Sequence, residues 1–119
     1  MRLQNEISIN IHGRTLSATP SGELDHHQAE RLRTQIDAAF DKSMCRNILL
    51  DMSNISFMDS SGIGMIIGRY KKAESRGGRL VLAGMDEGIS RVFSLSGLAK
   101  IVIQSKSVES AMEMLGGNF

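Results

Sequence analysis

Phe57-Met58-Asp59-Ser60-Ser61-Gly62-Ile63-Gly64 lies between a strand pattern and a helix pattern. This stretch places a small hydroxyl, that of Ser60, beside the acidic Asp59 where a helix is predicted to begin. The start of a helix has unpaired backbone N–H groups and a partial positive charge. A phosphate on Ser60 is therefore expected to find hydrogen-bond donors and a favourable dipole already in place. Gly62 and Gly64 have no side chains, so they are expected to leave the surface around Ser60 unobstructed. The active site of another protein can then reach this serine.

The residues on the amino-terminal side of this stretch predict a hairpin followed by a helix. Isoleucine alternates with polar residues from position 7 to position 11, and a turn at His12-Gly13-Arg14 leads into a second, antiparallel strand. Pro20-Ser21-Gly22-Glu23 is predicted to break the strand pattern. Asp25 is typical of a helix N-cap, with Gln28 as its reciprocal partner. The apolar positions of this helix recur at spacings of three and four: Ala29, Leu32, Ile36, Ala39 and Phe40.

The remaining elements are predicted from the same two periodicities. The apolar run Ile48-Leu49-Leu50 is typical of a strand covered on both faces. A helix begins in the Ser60 stretch, and Arg76-Gly77-Gly78 is predicted to end it with a glycine in the left-handed conformation. Further along, the pattern predicts a buried strand over residues 80–83, a helix ending near Gly97, a strand over residues 101–103 and a final helix capped by Ser107.

The predicted order of elements is ββαβαβαβα, which indicates an α/β fold. Short connections between alternating strands and helices imply parallel crossovers with helices packed on a sheet. We therefore expect a mixed, mostly parallel sheet with an N-terminal antiparallel hairpin and about four packed helices. At 119 residues, the chain is expected to form one domain over residues 1–119.

The composition is that of an ordinary globular domain, with 41% hydrophobic and 23% charged residues. The net charge of +1 gives no electrostatic reason to expect nucleic acid or an anionic membrane. The single cysteine, Cys45, excludes an internal disulfide and fits a reducing cytoplasm. The first six residues lack the apolar run of a signal peptide, and no stretch approaches the ~20 apolar residues of a membrane span. These features predict a cytoplasmic protein.

The sequence predicts no catalytic site, metal or cofactor. A nucleophile elbow requires glycine two residues before the serine, but Met58 and Asp59 stand at that distance from Ser60 and Ser61. The three histidines, His12, His26 and His27, have no obvious carboxylate to orient them, and no metal-ligand spacing recurs. The simplest alternative for the motif is therefore a helix N-cap with no further role.

Three other features have both a structural and a functional interpretation. Gly62, Gly64 and Gly68 suggest a phosphate cradle only weakly, because neither GxGxxG nor GxxxxGK[ST] is present. Arg69, Lys72 and Arg76 are predicted to share one outward face of the second helix, which is either solvated or a docking surface for an acidic partner. Met58 is a candidate exposed anchor for a partner.

The chain resembles the STAS family of anti-anti-sigma factors from about Ile7 to Leu115. The stretches that carry the resemblance are Gly22-Glu23-Leu24-Asp25-His26-His27, Ser56-Phe57-Met58-Asp59-Ser60-Ser61-Gly62, Gly68-Arg69-Tyr70-Lys71 and Leu95-Ser96-Gly97-Leu98. The first and third of these favour the sporulation members of the family.

The resemblance implies a regulatory cycle. Ser60 would be phosphorylated by the anti-sigma factor, which is a serine kinase that uses ATP. The unphosphorylated form would bind that kinase and release the sporulation sigma factor, and a metal-dependent phosphoserine phosphatase of the membrane would reset it. The expected partner-binding residues are Asp25, Met58, Asp59, Ser60, Ser61, Gly62, Ile63 and Gly64, with no contact to nucleic acid or membrane.

Two alternatives from other classes remain. One is a STAS-type domain that binds or weakly hydrolyses a nucleotide near Gly62–Gly68, which the absence of a phosphate-binding lysine motif disfavours. The other is a receiver-like domain phosphorylated on Asp51 or Asp59, which the opening hairpin disfavours.

Overall fold

Seven strands and four helices follow one another along residues 7–116, the part of the chain that this computed structural model describes. The strands are β1 (Ser8–His12), β2 (Thr15–Thr19), β3 (Gly22–Leu24), β4 (Asn47–Asp51), β5 (Ile55–Met58), β6 (Leu80–Ala83) and β7 (Ile103–Ser105). The helices are α1 (His26–Lys42), α2 (Ser60–Ser75), α3 (Glu87–Leu95) and α4 (Val108–Met114), with a 3₁₀ turn at Leu98–Lys100. The start of the chain, where no signal peptide was expected, lies outside the described residues.

Five strands form one mixed sheet in the order β1-β2-β4-β6-β7. β1 pairs antiparallel with β2, and every other neighbouring pair in this sheet is parallel. The predicted α/β fold, with its N-terminal hairpin and four helices, is therefore confirmed. In the edge strand β1, however, Ile11 is 51% exposed, so the alternation predicted there gives a less buried face than expected.

The two central strands are buried on both faces, as their continuous apolar runs predict. Ile48 and Leu50 of β4 belong to the large core that α1, α2 and α3 cover. Leu49 lies on the opposite face, in a smaller core with Ala111 of α4. This alternation follows from the two-residue period of a strand. It places three helices on one face of the sheet and α4 on the other.

Two short strands that the sequence did not predict form a second, two-stranded sheet. β3 and β5 pair in parallel, with Leu24 opposite Met58, although Pro20–Glu23 were expected only to interrupt the pattern. The register shifts between Gly22 and Glu23, because the bulged β5 has one residue more than β3 over the same length. Strands this short and irregular do not show the alternation from which strands are predicted.

The end of the chain differs from its prediction by two residues. Gly97 adopts the left-handed conformation, with φ of 84°, and a 3₁₀ turn follows it. Ile101 ends that turn, so β7 begins at Ile103 rather than at residue 101. The predicted end of α2 is confirmed: Gly77, with φ of 76°, lies between the helix and β6.

Candidate functional site

The β3–β5 pair brings the starts of α1 and α2 side by side. Leu24 and Met58, the last residues of the two strands, are direct neighbours in the register. Each strand runs immediately into a helix whose first turn is capped by an aspartate, Asp25 for α1 and Asp59 for α2. Because neighbouring strands lie about 4.8 Å apart, Asp25 and Asp59 share one edge of the molecule. The second sheet, rather than the main sheet, provides this arrangement.

The aspartates occupy N–H groups at the two helix starts. Asp25 Oδ1 accepts a hydrogen bond of 3.0 Å from the backbone N–H of Gln28, as the sequence predicts. Asp59 Oδ1 accepts from the N–H groups of Ser61, at 2.9 Å, and Gly62, at 3.4 Å. Two of the donors that a phosphate on Ser60 was expected to find, the N–H groups of Ser61 and Gly62, are therefore already used by Asp59. A phosphate there would instead lie beside the Asp59 carboxylate.

Ser60 is the first residue of α2 and is exposed, whereas Ser61 is half-buried. Ser60 therefore stands at the surface, directly after the Asp59 cap and at the same edge as the Asp25 cap. Glu23, on β3, is also exposed and lies opposite Phe57 in the register. The edge around Ser60 thus combines an accessible hydroxyl with three carboxylates.

Gly62 and Gly64 have different roles, although they are only two residues apart. A Cβ at Gly62 would lie 2.7 Å from Met58 Cγ and 3.0 Å from Leu24 Cγ, so this glycine allows α2 to pack closely on β3 and β5. A Cβ at Gly64 would meet nothing within 4 Å among the described residues. Of the two glycines, only Gly64 therefore leaves the surface near Ser60 unobstructed, as was expected of both.

Alanine substitution is expected to separate these two glycines. Gly62→Ala should lower the free energy of unfolding by about 1–3 kcal/mol, because the added methyl group overpacks the contact with Met58 and Leu24. Gly64→Ala should raise it by up to about 1 kcal/mol, since alanine favours a helix and finds open space. Urea denaturation of both variants measures this. Equal destabilisation by the two substitutions would contradict the assignment.

The predicted exposed anchor, Met58, is buried. Only 3% of its surface is accessible, and it belongs to the main core. Phe57 is 46% exposed instead. The bulge in β5 leaves two consecutive residues, Ser56 and Phe57, on the exposed side, and Met58 then lies in the core.

The basic residues of α2 do not form the outward face that was predicted. Arg69 is 6% exposed, and its Nε lies 3.1 Å from Asp37 Oδ1 of α1. Burial lowers the pKa of Arg69, while the charge of Asp37 raises it. Lys72 Nζ lies 3.0 Å from Asp41 Oδ1, also on α1. These cations therefore join α2 to α1.

Arg76 completes this contact at the ends of the two helices. Its Nη1 donates to the carbonyl oxygens of Phe40, at 2.9 Å, and Cys45, at 2.7 Å. Its guanidinium carbon also lies 4.2 Å from the centre of the Phe40 ring. The contacts that Arg69, Lys72 and Arg76 make with α1 and the residues after it thus give these basic residues a structural role.

Within residues 7–116, no three His, Cys, Asp or Glu side chains are grouped as ligands for a metal ion. None of the helices between these limits is long and apolar enough to span a membrane.

The sequence and the fold are similar to those of known proteins. The sequence profile of the STAS domain matches residues 6–111. The anti-sigma F factor antagonist of Paenibacillus polymyxa is 37% identical over 110 residues, covering 92% of this chain and 94% of the relative. The anti-sigma factor antagonist SpoIIAA in its unphosphorylated form has a TM-score of 0.82 at 30% identity, covering 96% of this chain and 99% of that one. The Bacillus cell fate determinant SpoIIAA in the phosphorylated form has a TM-score of 0.71 at 31% identity, covering 92% and 98%.

The mixed sheet, its helices and the matched residues define a STAS domain. The chain belongs to the STAS-domain family of anti-sigma factor antagonists, a family of regulatory proteins. The family resemblance that the sequence carries is therefore confirmed.

Proposed function

We propose that this chain is a phosphorylation-switched antagonist of an anti-sigma factor that is itself a serine kinase. The observation that carries the proposal is the exposed Ser60 hydroxyl at the first residue of α2. The unphosphorylated form binds the kinase and releases the sporulation sigma factor, and phosphorylation of Ser60 ends this binding. The likeness to a protein solved in both phosphorylated and unphosphorylated forms supports this proposal.

The binding surface in this proposal surrounds Ser60. The buried Gly62 supports this surface by allowing the start of α2 to pack on β3 and β5. Phe57 takes the place that was expected for Met58, which is buried. The residues of the surface itself are Asp25, Asp59, Ser60, Ser61, Ile63 and Gly64. Asp25 and Asp59 give this surface negative charge, so a basic surface on the kinase would be complementary. Ser60 presents its hydroxyl to the ATP that the kinase holds.

The rest of the cycle requires no chemistry from this chain. We propose that it acts as a single STAS domain in the cytoplasm, without a cofactor, and that a metal-dependent phosphoserine phosphatase removes the phosphate. The kinase supplies the ATP, and the Ser60 hydroxyl accepts the transferred phosphoryl group. Contacts with nucleic acid or membrane are not part of the proposal.

The direct test is to mix the protein with its cognate anti-sigma factor and ATP, and to locate the added phosphate by tandem mass spectrometry. We expect a single phosphate, on Ser60. Complete absence of binding and of phosphate transfer would overturn the proposed function.

Asp25 is expected to contribute through its charge as well as through its cap. Asp25→Asn keeps an oxygen that can accept from Gln28 but removes the negative charge. If Asp25 pairs with a basic residue of the kinase, the substitution should cost about 2 kcal/mol or more of binding, roughly 30-fold in Kd. Titration calorimetry at low salt measures this change.

Asp25→Ala provides the matched control for the cap. It should lose the same binding energy and, in addition, about 1 kcal/mol of folding stability. Wild-type affinity in Asp25→Asn would leave only the capping role for this residue.

A further inference from the structure

A groove of about 280 Å³ runs between α1 and α2, and its lining begins at Ser61, the residue after Ser60. Ser61, Gly64, Met65, Gly68 and Arg69 of α2 form one side, and His26, Ala29, Glu30 and Arg33 of α1 form the other. Neither Gly64 nor Gly68 has a described atom within 4 Å of the position that its Cβ would occupy. Each glycine costs about 1 kcal/mol in a helix relative to alanine, and no close packing requires either of them. Their effect is to keep the groove open.

Arg69 contributes a guanidinium group that is incompletely paired. The residue is 6% exposed, and its Nη1 has no hydrogen-bond partner among residues 7–116. Its Nε is close to Asp37 Oδ1, at 3.1 Å, but the contact lacks hydrogen-bond geometry. A buried cation with an unsatisfied donor is costly unless another acceptor completes its environment. Nη1 itself is closed to solvent, so an incoming anion would bind the guanidinium through the part of it that stays accessible.

The other cation of the groove is already engaged. Arg33 donates two hydrogen bonds to the Glu30 carboxylate, which lowers the pKa of Glu30, and it also lies 3.9 Å from Asp37 Oδ2. A dianionic phosphate would therefore meet Glu30 and Asp37 as well as Arg69. A monoanionic, planar carboxylate matches a guanidinium and adds less repulsion. The volume also lies just below the ~300–1,000 Å³ of small-molecule pockets.

We propose that this groove receives one acidic side chain of the protein that covers Ser60, and that its carboxylate binds Arg69. The inference rests on the proposed function, because it assigns a second contact to the same partner. It extends the binding surface from the start of α2 along two turns of the helix. The partner would then contact both the Ser60 hydroxyl and the guanidinium of Arg69.

The first test fills the groove without changing Arg69 or Asp37. Gly68→Leu is compared with Ala38→Leu, which places the same side chain at an exposed position of α1 that does not line the groove. Gly68→Leu should weaken binding of the cognate anti-sigma kinase at least tenfold, and Ala38→Leu should leave Kd within about threefold. Melting curves of both variants establish that they are folded. Unchanged affinity in folded Gly68→Leu, with normal binding by the wild type, would overturn the groove proposal alone.

The second test identifies the carboxylate. Arg69→Met should weaken kinase binding by about 30-fold or more, as expected when one member of a buried charged pair is removed. Each acidic residue on the kinase surface is then changed to alanine, and the correct one should cause no further loss in the Arg69→Met background. Additive losses for every acidic residue would contradict the proposal. A shift of the Arg69 Nε–H resonance on addition of ATP alone would assign the groove to a nucleotide and overturn it.

Discussion

Ser60→Ala is expected to abolish phosphate incorporation by the anti-sigma kinase, whereas Ser61→Ala should preserve most of it. The reason is the different placement of the two hydroxyls at the start of α2. Ser60 is the first helical residue and is exposed. Ser61 is half-buried, lines the groove between α1 and α2, and donates its backbone N–H to Asp59. A kinase that approaches the exposed edge therefore reaches Ser60 first.

The intact mass of each variant, after incubation with the kinase and ATP, measures this effect. The wild type should gain one phosphate, Ser61→Ala one and Ser60→Ala none. Ser60→Ala must still bind the kinase, since the substitution removes the acceptor hydroxyl and not the surface around it. Phosphate found on Ser61 of the wild-type protein would show that the assignment of the acceptor is wrong.

Ser60→Asp is expected to weaken kinase binding by about 100-fold, or roughly 2.8 kcal/mol, without unfolding the protein. Asp59 already accepts from the N–H groups of Ser61 and Gly62, so a new carboxylate at position 60 finds those donors occupied. Its charge instead adds to those of Asp59 and Asp25 on the same edge. In the complex, it would also face the phosphates of the bound nucleotide, where a like charge costs several kcal/mol. Phosphoserine, with a charge of about −1.5 to −2, should act more strongly in the same direction.

Two matched variants separate charge from size and position. Asparagine has nearly the same shape as aspartate but no charge, so Ser60→Asn should retain most of the affinity. Ser75→Asp places the charge at the far, exposed end of α2 and should have little effect. Circular dichroism and melting of Ser60→Asp should resemble those of the wild type. A global loss of structure in this variant would contradict an account based on local charge.

The regular part of the fold could be predicted from the sequence because its periodicities are long and unbroken. The apolar run in β4 and the spacing of three and four along α1 each specify one structure. The β3–β5 pair could not be predicted, since these strands have three and four residues and contain a bulge. This omission matters for the site, because it is the pairing of Leu24 with Met58 that sets Asp25 beside Asp59.

The candidate site was predicted in part. The Asp59 cap and the position of Ser60 follow from local residue preferences, which act over a few residues and are visible in the sequence. The burial of Arg69 depends on Asp37, a residue on another helix, and a helical pattern on α2 alone does not contain that information. The burial of Met58 and the exposure of Phe57 likewise depend on β5 and its bulge, which were not predicted.

The most direct test of the proposed switch is the affinity of one preparation for the anti-sigma kinase before and after complete phosphorylation. Calorimetry with the kinase and ADP measures both forms under the same conditions, and mass spectrometry establishes that the phosphate is on Ser60. We expect tight binding by the unphosphorylated protein and a loss of at least about 100-fold, or 2.8 kcal/mol, after phosphorylation. Equal affinities of the two forms would contradict it.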